Sequence, residues 1–176
     1  KRIFRTHIFS NNIFESCSTG IATGAVTDAS TNSLPGQHLI VEGNIVKNSA
    51  IVGIVIRFSD HAVISNNIVQ NPGATLNGNG TANSWTSGAA GIDIRGSSNC
   101  SVSDNSVFIN TDLANQPTSS NAIVGIRIGP YSTGGPNTKS EYCVITGNNI
   151  CNLYNGVIDL FGSVDSPEAQ YNIVTN

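Results

Sequence analysis

The chain has 176 residues, of which 39% are apolar, 11% charged and 6% aromatic, and it carries a net charge of −3. That length suits one domain with a continuous core, and the acidic balance excludes the basic surface that nucleic acid requires. No apolar run approaches the roughly 20 residues that span a bilayer, so no membrane partner is expected.

Charge is replaced by Asn, Ser, Thr and Gly, with Asn alone supplying 23 residues. Asn and Gly are poor in helix interiors, whereas Val and Ile are abundant, which predicts an all-β chain with many turns. The four Cys show neither C-x-x-C nor Cys/His spacing, so neither a zinc site nor a disulfide framework is expected. No metal and no cofactor are expected. Lys1, Arg2 and Arg5 are followed by no apolar block, so no signal peptide is read. The sequence contains no Met and no polar cap at either end, and is read as a piece of a longer chain or one whose ends another chain covers.

Self-similarity organises the rest. Six segments share the pattern apolar, any, small or polar, Asn, any, apolar: FSNNIF (9–14), VEGNIV (41–46), ISNNIV (64–69), VSDNSV (102–107), ITGNNI (145–150) and, more weakly, AQYNIV (169–174). A Gly-Ile strand follows most of them, at Gly20–Ile21, Gly53–Ile56, Gly91–Ile94 and Gly125–Ile128, with the fifth shifted to Val157–Leu160. The shortest unit, Asn44 to Asn67, is 23 residues. A unit that small cannot bury an apolar face alone and must stack on its neighbours. The repeated Asn amides would then form a ladder spaced by roughly 4.8 Å. Residues 25–37, 71–90, 111–124 and 129–141 break the period, carry Gly, Pro, Ser and Asn, and are read as loops bordering the Gly-Ile strands.

Period-2 alternation points the x residue of each Gly-Ile-x-Ile strand outward. One outward column is Ala22, Val55, Asp93, Arg127 and Asp159, and the next is Gly24, Arg57, Arg95, Gly129 and Phe161. Five charges therefore converge on one face of a charge-poor chain. Asp93 and Asp159 fall two strands apart, roughly 9.6 Å, close to the separation of about 6.5–9.5 Å that suits acid and base in inverting glycoside hydrolysis. Arg127 lies between them and works against proton donation. A ladder of outward salt bridges is the alternative. Arg57, Arg95 and Arg127 suit a sugar carboxylate, and Trp85 and Tyr131, in flanking loops, would either stack on a sugar or pin a loop. Outward side chains are expected to tolerate substitution.

His38 and His61 share a register six residues before their Asn and should stack, while Cys100 and Cys143 share an inward register as buried, inert thiols. Asn79, Gly80 and Thr81 form a glycosylation acceptor pattern. Positions Ile8, Ile40, Val63 and Val144, with Ile13, Ile45 and Ile68, place apolar residues where strands should face solvent. Such a face predicts packing on another copy, in a homo-oligomer of the trimeric kind, or on the remainder of a longer chain.

The six-fold motif resembles the right-handed parallel β-helix, pectate-lyase-like superfamily, which includes pectate lyases, polygalacturonases, phage tailspikes and non-enzymatic adhesins. The resemblance implies a single β-helix domain over residues 1–176, with about six rungs. It implies a polysaccharide-binding and polysaccharide-cleaving role, hydrolase or lyase, outside the cell or on a virion; a non-catalytic stalk is the alternative. The segment from Gly125 to Ile128 is similar to the G-I-R-I-K strand of polygalacturonases. However, Gly129 stands where they carry lysine, and 89–93 lacks their N-T-D, so their activity is not implied.

Overall fold

The computed structural model describes residues 5–23, 37–77, 82–113, 115–130, 140–153, 158–160 and 173–175. The chain is all-β, and it visits three parallel sheets in strict rotation. The first circuit is β1 (Arg5–Ser10), β2 (Ile13–Glu15) and β3 (Thr19–Thr23). The second is β4 (Gln37–Glu42), β5 (Ile45–Lys47) and β6 (Val52–Arg57). The third is β7 (Ala62–Ser65), β8 (Ile68–Gln70), a hairpin of β9 (Ala74–Leu76) and β10 (Ala82–Trp85), and then β11 (Ala90–Arg95). The fourth is β12 (Ser101–Ser103), β13 (Ser106–Phe108), a 3-10 turn at Ser119–Asn121, and β14 (Val124–Gly129). The fifth is β15 (Val144–Thr146), β16 (Asn149–Cys151) and β17 (Ile158–Leu160), after which β18 (Ile173–Thr175) returns to the first sheet. The sheets run β1-β4-β7-β12-β15-β18, β2-β5-β8-β13-β16 and β3-β6-β11-β14-β17.

Register follows the repeat. Phe9, Val41, Ile64, Val102 and Ile145 are successive partners in the first sheet. Asn12, Asn44, Asn67, Asn105 and Asn148 lie at the corner that follows, and each Nδ2 donates to the next Oδ1 at 2.9–3.0 Å. Each of those Oδ1 atoms also accepts the backbone N–H of the previous Asn, at 3.0 Å. The amide thereby serves buried backbone groups that a tight corner would otherwise leave unpaired. The residue before each ladder Asn explains the rest of the pattern. Asn11, Gly43, Asn66, Asp104 and Gly147 all have φ between 56° and 64°, a left-handed conformation that Gly, Asn and Asp adopt at least cost.

A second ladder, which the sequence did not announce, crosses the corner between the third and first sheets. Ser59 N–H donates to Ser97 Oγ at 3.0 Å, and Ser97 N–H to Ser140 Oγ at 3.1 Å. Between the ladders sits one core of stacked aliphatic side chains, including Val41, Ile54, Ile64, Ile92, Val102 and Ile126. The Gly of each Gly-Ile strand is required by this core rather than by a turn. A Cβ on Gly53 would strike Val69 Cγ1 and lie 2.6 Å from the Gly91 carbonyl oxygen, and Gly91 stands in the same relation to Val107 and Gly125.

Two expectations are corrected. In the sixth copy, Val174 rather than Ala169 pairs with Ile145. The backbone pairing of β18 with β15 fixes that register; Asn172 and the side chain of Val174 lie outside the described residues. The 71–90 insertion is also not loop throughout, since β9 and β10 pair antiparallel, with a register shift between Ala82 and Ser84. The predicted apolar face is present. Ile8 and Ile13 are 61% and 68% exposed, Val63, Ile68 and Val144 are also exposed, and Ile40 and Ile45 are half-buried.

Candidate functional site

The third sheet assembles the charged column in the register the repeat predicts. Asp93 pairs with Val55 on one side and Arg127 on the other, and Arg127 pairs with Asp159. Arg95 pairs with Arg57 and Gly129. Three of the chain's eight Lys and Arg residues therefore stand on neighbouring outward positions.

The column does not stand free in solvent. Val55 and Asp93 are only 4% and 5% exposed. Asp93 Oδ1 takes a charge-assisted hydrogen bond from Arg95 Nε at 2.6 Å, and Oδ2 lies 3.9 Å from an Arg127 guanidinium nitrogen. The two arginine side chains flank the carboxylate, from the next outward position on its own strand and from the adjacent strand. Asp93 is thus an ion-paired centre between two cations. Asp93→Asn is consequently expected to destabilise the fold by roughly 1–3 kcal/mol, contrary to the tolerance expected of an outward residue, because Arg127 loses a partner while 13% exposed. Urea unfolding of the variant beside the parent measures this, and an unchanged midpoint would show the pairing to be idle.

The insertions form a wall beside this column. Trp85 packs with Ala89, Ile109 and Ile123 in a small second core, and its Nε1 donates to the Asn115 carbonyl at 2.9 Å. Asn121 Nδ2 donates to the Trp85 carbonyl at 3.0 Å, and Gly88 N–H to the Asn121 carbonyl at 3.0 Å. The 71–90 and 111–124 segments are therefore fused, and Trp85 pins one to the other. Arg127 reaches this wall, donating to the Gly88 carbonyl at 3.1 Å. The side chain of Asp159 lies outside the described residues, as do Tyr131, Gly24, Phe161 and the Asn79–Thr81 acceptor pattern.

Two further clusters lie away from the column. His38 and His61 stack with ring centroids 5.3 Å apart and planes 11° apart, and His61 Nδ1 lies 3.1 Å from Asp60 Oδ1. Cys100 and Cys143 are both buried thiols that form no disulfide. Their mutual hydrogen bond raises the Cys100 pKa, with burial adding to the rise, and lowers that of Cys143. Among the described residues, no group of three or more His, Cys, Asp or Glu side chains could hold a metal ion. What the sequence left unread was the Asp93–Arg95 pair, although positions two apart on one strand face share a side and are neighbours. No protein-family description, curated protein or solved structure matches the chain.

Proposed function

We propose that the chain is a single right-handed parallel β-helix of about six rungs, of the pectate-lyase-like kind, whose third sheet binds acidic polysaccharide. The rotation of strands through three in-register parallel sheets supports the fold. One observation carries the function: Asp93 engages two guanidinium groups at once, one through each oxygen. A guanidinium is a planar fork of five N–H donors, which matches a carboxylate better than an ammonium does. Arg57 extends the same surface on the strand beside Arg95. A uronic-acid polymer, laid across the strands, offers repeated carboxylates to cations set at strand spacing. Such a module belongs outside the cell, on a secreted protein or a virion.

Any cleavage would run through Asp93 and Asp159, two strands apart, but both oxygens of Asp93 are already engaged by arginines, so binding without cleavage is proposed. The competing reading is an inert stalk, favoured by the same pairing if Asp93 merely neutralises its arginines. Titration calorimetry with oligogalacturonate and with cellohexaose separates them. The acidic ligand should bind with an affinity that falls as salt rises, and Arg127→Ala should weaken it about tenfold or more, while neither glycan gains reducing ends or unsaturated products. No binding of the acidic ligand, or binding that Arg127→Ala leaves unchanged, would overturn the assignment.

The apolar face on the first two sheets is assigned to packing between copies, in a trimer. Ile13→Asn, at the most exposed of these positions, should shift the sedimentation coefficient to that of the monomer without lowering the melting temperature. A parent chain that already sediments as a monomer would remove this assignment.

A further inference from the structure

A groove of about 590 Å³ lies at the corner between the second and third sheets, beside β9. It is lined by the turn following β2, the turn following β5, and β9. The volume falls in the range of about 300–1,000 Å³ typical of small-ligand sites. The charged column occupies the outward face of the third sheet and contributes no residue to this groove.

The lining chemistry is narrow. Ser16, Ser18 and Thr75 present hydroxyls, Asn48 a carboxamide and Glu15 a carboxylate, while Ala50 supplies a methyl surface. Hydroxyls and amides both donate and accept, and a carboxylate accepts from paired hydroxyls, which together match a polyol. Among the described residues no Lys or Arg lines the groove, and the cation in register with it, Lys47, is the strand partner of the Glu15 carboxylate, whose charge offsets it. The lining is also rigid. Ala50 N–H donates to the Cys17 carbonyl at 2.8 Å, Gly73 N–H to the Ser49 carbonyl at 2.7 Å, and Asn71 Nδ2 holds Asn48 Oδ1 at 2.8 Å. Ligand binding there meets little ordering cost.

We propose that this groove is a second glycan site, specific for neutral saccharides. The assignment does not rest on the acidic-glycan reading of the third sheet. Its test is an amide ¹H–¹⁵N titration of the full chain with cellohexaose, maltohexaose and mannohexaose. At least one should give saturable shifts at Ser16, Ser18 and Thr75 that persist at about 1 M NaCl, where screening falls to roughly 3 Å. Thr75→Trp, and independently Ser18→Trp, should abolish those shifts, whereas Arg127→Ala should leave them. No groove shift with any of the three sugars overturns the proposal. So does an equal groove response to hexagalacturonate, because the lining would then not discriminate against charge.

Discussion

Asn67→Ala is expected to lower the melting temperature by roughly 5–15 °C, the equivalent of about 2–4 kcal/mol. Asn67 is fully buried, and its one amide serves four groups on the two neighbouring circuits. Its Oδ1 accepts from the backbone N–H and the Nδ2 of Asn44, and its Nδ2 donates to Asn105 Oδ1 and the Val41 carbonyl. Alanine removes all four bonds and leaves the Asn44 backbone N–H buried without an acceptor. The exposed end of the ladder provides the control. Among the described residues the Asn12 side chain donates only to Asn44 Oδ1 and the Ser10 carbonyl, so Asn12→Ala should cost well under half as much. Differential scanning calorimetry of the two variants decides the matter, and equal melting of Asn67→Ala and the parent would show the ladder to be ornamental.

Gly53→Ala is the second large effect, expected at roughly 1–3 kcal/mol, with Gly53→Val costing more. The added methyl meets Val69 on one side and the Gly91 carbonyl oxygen on the other. Val69 has some rotamer freedom, but the carbonyl belongs to the strand paired with β6, so accommodating the methyl separates β6 from β11. Denaturant midpoints measure the loss. A Gly53→Ala chain as stable as the parent would mean that the second and third sheets are less closely packed than described.

These two sites show what the sequence made legible and why. The Asn recurs because every circuit must satisfy the same buried corner, so the amide repeats with the geometry that needs it. The Gly before each Ile was equally visible as a pattern, but its reason lay in Val46, Val69 and Val107, which come from a different sheet and adjoin it only once the chain is coiled. The charged column was legible because alternation on a parallel strand fixes which residues share a face. Its burial was not, because Arg95 and Arg127 close over Asp93 only when both rotamers and the Gly88 wall are in place. The role of Trp85 was left open for the same reason, since its partners Asn115, Asn121 and Ile123 sit in another insertion. The sixth copy misled because Asn172 completes the motif in sequence, whereas the backbone register of β18 on β15 is set through Val174.

The proposed role of the third sheet is that of a receptor for sugar carboxylates. A crystal structure of the chain with hexagalacturonate addresses it most directly. Density for the ligand should lie across β6, β11 and β14, with carboxylates within hydrogen-bond distance of Arg95 and Arg127 and the Asp93 pairing intact. Ligand density that avoids these arginines, or an unliganded third sheet at saturating hexagalacturonate, would contradict it.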